Sequence, residues 1–149
     1  AEGRLVLADT LTLAARRGAG TLVDIATLTG ACVVALGEAV AGLFASDDRL
    51  ADDLVGAASR AGEDLWRLPL HDSVRPQLKS DVADLRNIGE RWGGAIQGAL
   101  FLAEFAGGRP FAHVDIAGPA WSRKDHAIGP RGGTGFGVRT LLQWLCPPG

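Results

Sequence analysis

Chemistry in this chain starts with two charged residues, Glu2 and Arg4, two apart in Ala1-Glu2-Gly3-Arg4. A carboxylate offers oxygen to a hard cation, and a guanidinium forks onto an anion. An apolar run with helical spacing follows at once: Leu7, Leu11 and Ala14, with Ala8 and Ala15 beside them, stopped by Gly18. The spacing predicts a helix from about Leu5 to Arg17, with Glu2 and Arg4 on a short flexible lead at or just before its N-terminus. Free N–H groups and the helix dipole favour anions there. Taken alone, such a Glu is an ordinary dipole-pairing residue and such an Arg a solvated one.

Asp24 and His113-Val114-Asp115 carry the next candidates. Both lie in short apolar runs that read as buried strands, Thr21–Ala26 and Phe111–Ala117. Each run has an Asp-Ile-Ala core leading into a glycine. Strand ends of that kind bring a ligand close to bare backbone in an α/β sheet, although plain strand-to-loop punctuation looks the same. Asp24 within a strand needs a partner or a cleft. His113 reads as a hydrogen-bonded structural histidine, and Asp115, facing opposite to Val114 and Ile116, as an anchor for a loop. His71 and His126 have no metal-ligand spacing to each other or to cysteine. The loop Arg131–Gly137 has the glycine density of a phosphate cradle, but no Lys in the right place and no strand directly before it, so it reads as a tight loop near a helix start.

Alternating helices and strands must position these groups. Ala31–Leu36 fits a short helix or a strand, and Ala39–Ala45 fits a strand. Ser46 is the expected N-cap of a helix with Asp47 and Asp48 in its first turn and Leu50, Leu54, Val55 and Ala58 as its stripe, ending near Gly62. Trp66–Leu70 is extended, His71–Leu78 a short helix limited by Pro76, and Lys79–Leu85 a loop. A helix from Gly94 carries Ala95, Ile96, Ala99, Leu100, Ala103 and Phe105 to Gly107-Gly108. Ser122–Gly135 is polar loop, and Val138–Leu145 a closing helix stopped by Pro147-Pro148. The pattern defines an α/β fold, a mixed, mostly parallel sheet flanked by helices in three layers. There is no internal repeat or linker, hence one domain.

With 149 residues, 47% of them hydrophobic, the chain can build a core, and its net charge of −2 supplies no basic field for nucleic acid or acidic membranes. No apolar run spans a bilayer, and no signal peptide opens the sequence. Cys32 and Cys146 match no metal or redox spacing and are expected as buried thiols of a reducing compartment, with a bridge between them as the alternative. No methionine is present, so the natural start is expected elsewhere and the chain to be a piece of a longer protein.

Ala1-Glu2-Gly3-Arg4-Leu5 resembles the end of the Asn-Thr-Asp-Ala-Glu-Gly-Arg-Leu signature of the cytosolic leucyl aminopeptidases, the two-metal M17 family. The resemblance continues in order through Asp24–Ala31, Trp66–Leu70, Ser80–Gly89, Gly93–Ile96, His113–Trp121 and Gly133–Val138, nearly the whole chain. It implies the C-terminal part of a catalytic domain that releases N-terminal, leucine-like residues from peptides, using two divalent metal ions (manganese or zinc, with magnesium as a further option) and bicarbonate as general base. By resemblance Glu2 is the carboxylate that bridges the metals and Arg4 the arginine that holds bicarbonate. Leu28 and Gly30 hold the substrate by their main chain, with Thr27 and Thr29 lining the site. Ala117 and Ala120 match the pocket for the substrate's first side chain. Near Ala120 the family usually has a larger apolar residue, often Met, so a wider pocket is expected here.

The resemblance also implies a cytoplasmic homo-hexamer built of two trimers. The family's remaining metal ligands, a lysine and three aspartates, and its second catalytic lysine all lie upstream of Ala1. The chain by itself is therefore expected to be inactive and to expose an unpaired sheet edge. Two rivals remain: a non-catalytic assembly or DNA-binding accessory role, which the acidic balance disfavours for this segment, and a relative that has lost its upstream ligands.

Overall fold

The computed structural model describes residues 1–146. Helix α1 (Glu2–Arg16) leads into strand β1 (Leu22–Ala26), the short helix α2 (Gly30–Leu36) and strand β2 (Ala41–Ala45). Helix α3 (Asp48–Ala61), strand β3 (Leu65–Arg67) and a 3-10 helix (Asp72–Leu78) follow. Then come α4 (Gly94–Ala103), β4 (Phe111–Asp115), the two-residue strands β5 (Trp121–Ser122) and β6 (Gly132–Gly133), and α5 (Val138–Leu145).

The main sheet runs β1-β4-β2-β3. β1 pairs parallel with β4 and β2 parallel with β3, while β2 and β4 are antiparallel. Every residue of β4 is buried, as a central strand covered on both faces requires. Its alternation sorts the layers. Phe111 packs with Ala8, Leu11, Leu100 and Phe101 of α1 and α4. Ala112 and Val114 pack with Leu50, Ala51 and Leu54 of α3 on the other face. His113 and Asp115 therefore share the side of Phe111. β1 stands at one edge with its outer side unpaired among the described residues, as expected.

Several boundaries differ from the sequence expectation. α1 begins at Glu2, not Leu5, so Glu2 and Arg4 belong to its first turn and are not a flexible lead. Arg4 heads the buried stripe Arg4, Ala8, Leu11, Ala15, which fixes that turn by packing. The N-cap of α3 is Asp47, whose carboxylate accepts from Leu50 N at 2.8 Å. Ser46 is instead bonded to Phe111, accepting from its main-chain N at 3.0 Å. The α3 C-terminus closes on Gly62 in the left-handed conformation, φ 66°, as the sequence suggests. α4 stops at Ala103, and β4 stops at Asp115 rather than Ala117. The supposed loop after Trp121 contains the β5–β6 pair. Cys32 is buried as expected but Cys146 is exposed, and both are free thiols. Pro147 and Pro148 lie outside the described residues. Among the described residues, no helix is long and apolar enough to cross a membrane.

Candidate functional site

The start of α1, the end of β1 and one flank of α4 converge on Gly98. A Cβ placed there would lie 3.0 Å from Leu28 Cδ2, 3.3 Å from Thr29 Cγ2 and 3.6 Å from Arg4 Nη2. Gly3, next to Glu2, likewise faces Leu28, with 3.9 Å from its own notional Cβ to Leu28 Cδ1. The fold thus gathers Arg4, Leu28 and Thr29, and sets the turn that carries Glu2 beside them.

Arg4 is only 8% exposed. Its Nη1 donates to the main-chain oxygen of Asn87 at 2.8 Å, and its guanidinium carbon stands 5.9 Å from the Phe101 ring centroid. Its Nε is buried with no hydrogen-bond partner among the described residues. None of the ion pairs among those residues includes Arg4. Burial pushes the guanidinium below its usual value, although an arginine stays charged. Asn87 is itself tied down, its Nδ2 donating to Ala1 O at 3.2 Å. The loop that carries Asn87 is held by buried Gln97 of α4. The Gln97 amide donates to Glu90 O at 2.7 Å and Trp92 O at 2.9 Å, and accepts from Gly89 N at 3.1 Å. The sequence reading passed over Asn87 and Gln97, which have no local signature.

Glu2 is fully exposed. A main-chain hydrogen bond holds its carboxyl below the usual carboxylate range. Among the described residues, no three His, Cys, Asp or Glu side chains come together as a metal cage. A divalent ion takes about six or more oxygen ligands, and one carboxylate has two oxygens. The donors present here therefore do not by themselves fit a pair of metal ions.

Asp115, fully buried at the end of β4, organises the other predicted residues. Its Oδ1 accepts from Leu28 N at 3.1 Å, Thr29 N at 3.4 Å and Ala117 N at 3.1 Å. Its Oδ2 accepts from the Thr29 hydroxyl at 2.7 Å. That hydroxyl in turn accepts from Cys32 N at 3.1 Å, capping α2. So Leu28, Thr29 and Ala117 meet on one carboxylate, with Thr27 and Gly30 exposed on either side of the clamped pair. Thr29 itself is buried, its hydroxyl committed inward. Ala120 sits farther along the same loop, its N donating to Ile116 O and its O accepting from Thr134 N, each at 3.0 Å.

Two further polar groupings make bonds inside the fold, although Asp24 Oδ2 and His113 Nε2 stay buried with no hydrogen-bond partner among the described residues. Asp24 and His113 are opposite each other in the register of β1 and β4, and Asp24 Oδ1 meets His113 Nδ1 at 2.6 Å. The imidazole is stacked 6.1 Å from Phe44 and fully buried, the structural histidine expected. The glycine-rich loop ends at α5, where Glu63 accepts from Gly137 N at 3.1 Å and Thr140 N at 3.0 Å. An internal carboxylate occupies the helix start that a phosphate would need, so this is a tight loop and no cradle.

Fold and site together define an α/β protein with a mixed sheet between helix layers and a buried arginine beside the loop after β1; comparison supplies the family. The model of the cytosol aminopeptidase family, catalytic domain, matches residues 1–142. The chain is 56% identical over 147 residues to a probable cytosol aminopeptidase of Synechococcus sp. (strain CC9311), covering 98% of this chain and 30% of that protein. It is 55% identical over 147 residues to one of Prochlorococcus marinus (strain MIT 9313), with 98% and 30% covered. Among solved structures, a tomato leucine aminopeptidase carrying K354E superposes with a TM-score of 0.92 at 48% identity, over 97% of this chain and 28% of that one. A bottromycin maturation enzyme, BotP, in complex with Mn gives 0.92 at 51% identity, over 97% and 33%. The chain belongs to the cytosol aminopeptidase (M17) family. It spans about 30% of the length of the curated relatives it matches.

Proposed function

We propose that the protein to which this chain belongs is a metal-dependent aminopeptidase that removes N-terminal, leucine-like residues from peptides. The observation that carries the reading furthest is Arg4: a buried guanidinium with an unpartnered Nε, meeting the Leu28 and Thr29 side chains around Gly98. Such a group is poised for a small anion, and bicarbonate held there would serve as general base. Glu2 is the carboxylate that would contribute to a metal pair, the remaining ligands coming from outside these residues. Two divalent ions, manganese, zinc or magnesium, would supply Lewis acidity toward the scissile carbonyl. BotP, one of the similar structures, was solved in complex with Mn.

On the chain's own side, substrate binding falls to the backbone of residues 27–30 and to the loop with Ala117 and Ala120. The N–H groups of Leu28 and Thr29 are committed to Asp115, so a bound peptide meets the Leu28 carbonyl as an acceptor. Gly30 brings exposed main chain with no side chain in the way. The small Ala120 widens the pocket for the first side chain, so residues bulkier than leucine should also be accepted. The same reading carries a cytoplasmic homo-hexamer.

The test is hydrolysis of leucine p-nitroanilide with Mn²⁺, by the full-length protein and by residues 1–149 alone. The full-length protein should turn over and lose activity to a chelator; the isolated chain should not turn over. A full-length protein inert toward leucine p-nitroanilide and leucyl dipeptides with all three metals overturns the peptidase reading. Robust turnover by the isolated chain overturns its inactivity.

A further inference from the structure

We propose that Asp115 is a positioning residue for peptide binding: its buried carboxylate locks the segment 27–30 to the loop at Ala117, so that the two sides of the substrate groove move as one. The inference rests on the peptidase reading above.

The geometry is specific. One oxygen takes three main-chain N–H groups, from Leu28, Thr29 and Ala117, and the other takes the Thr29 hydroxyl. These donors come from two loops, one after β1 and one after β4, which the parallel register brings side by side with Ala26 opposite Asp115. Leu28 and Thr29 precede α2 and Ala117 sits in a turn, so no sheet ladder takes up the three N–H groups that Asp115 receives. A neutral acceptor would bond these donors more weakly, because charge-assisted hydrogen bonds are about twice as strong as neutral ones. Thr29 extends the lock by capping α2 through Cys32 N. Gly118, the residue after Ala117, lies so close to the turn after α2 that a Cβ would stand 2.3 Å from Gly37 O. The clamp therefore ties the β1 loop, the β4 loop and α2 into one unit. Asp115 touches no reacting atom in this arrangement. Its effect passes through the Leu28 carbonyl and the pocket at Ala117, groups that bind substrate and transition state alike.

Loss of such uniform binding raises KM and spares kcat. In the full-length protein, Asp115→Asn keeps the shape but removes the charge and one acceptor. We expect about a fivefold or greater rise in KM for a leucyl dipeptide, with kcat within about threefold of wild type. Amide exchange across residues 27–30 should accelerate by about tenfold. A folded Asp115→Asn protein with wild-type KM overturns the proposal. If that variant does not fold, Thr29→Val decides. Valine removes the hydroxyl that Asp115 holds, and should raise KM by about fivefold with kcat within about threefold of wild type. A folded Thr29→Val protein with wild-type KM overturns the clamp. A wild-type protein that cleaves no peptide overturns the peptidase reading instead, and an active wild type with indifferent variants overturns only the role of Asp115.

Discussion

Arg4 and Asp115 are both charged and both buried, and both lie close to Leu28 and Thr29, but their surroundings are opposite. The Asp115 carboxylate receives hydrogen bonds from Leu28, Thr29 and Ala117 and is complete within the chain. The Arg4 guanidinium has one main-chain oxygen and an aromatic face, and its Nε is left over. An unpaired buried polar group is costly, and in the function proposed above a bound anion would complete the one on Arg4. The difference separates scaffold from chemistry. The Asp115 side is self-contained, and in the function proposed above it would fix where a peptide lies. The Arg4 side is unfinished, and in that function it would receive the anion.

The contrast breaks most sharply on Arg4→Ala in the full-length protein. If Arg4 acts in the transition state through its anion, kcat should fall by about 10²–10³-fold, the usual cost of losing one such stabilising group, while KM changes little. Arg4→Lys should recover little, because an ammonium cannot reproduce the planar fork. Asp115→Asn should show the reverse split. Unchanged turnover in Arg4→Ala would place both residues in the scaffold and dissolve the distinction.

Glu2→Gln sharpens the same comparison from the exposed side. Among the described residues the fully exposed Glu2 carboxylate pairs only with the amino terminus and its own backbone, so the substitution should leave the melting temperature of the isolated chain unmoved. In the full-length protein, metal analysis should show a loss of bound ion together with activity. Retention of both ions and full turnover would remove Glu2 from the site.

Much of the Asp115 side was legible in the sequence, and little of what supports Arg4. β1 and β4 announce themselves as short β-rich runs ending in glycine, and α3 carries its period and its Gly62 stop. The alternation of Val114, Asp115 and Ile116 even gives Asp115 its loop-anchoring role. Two of its partners, Leu28 and Thr29, however, lie 87 and 86 residues away, and no local pattern names them. The helical first turn at Glu2–Arg4 was hidden because Ala1 supplies no cap and Gly3 is a poor helix former; tertiary contacts of Arg4 hold it. Cys146 looked like a core thiol because the end of α5 is apolar. The exposed face of α5, with Leu142 58% and Leu145 66% accessible, extends to it. The family resemblance, carried by motifs over nearly the whole chain, supplied what spacing alone did not.

Gly118→Ala tests how tightly the β4 loop is seated. Its Cβ would meet the main-chain oxygen of Gly37, which cannot rotate away as a side-chain tip does. We expect a loss of about 1–3 kcal/mol in urea unfolding, the usual cost of overpacking. Gly20→Ala, where nothing lies within 4 Å, is the control and should stay within about 0.5 kcal/mol of wild type. Equal midpoints for the two would mean that the loop is free to shift, and the rigidity assigned to this side would fail.

The smallest effect is a pH dependence confined to the Asp115 side. Burial first, then the charge of Asp115, pushes the Cys32 thiol up to about 11 from 9.0. The folded protein therefore holds this proton more tightly than the unfolded one. The thiol's contribution to stability is intact below about pH 9 and is lost as pH rises toward about 11. Arg4 adds no slope of its own in this window, since its guanidinium stays protonated throughout. Urea unfolding of wild type and Cys32→Ala at pH 8.5, 9.5 and 10.5 isolates the thiol, because every other titrating group is common to both. Wild type should lose stability faster across the series. Parallel curves would show that Cys32 ionises as easily in the folded state as in the unfolded one, and that the interior beside Asp115 is more open to water than its hydrogen bonds suggest.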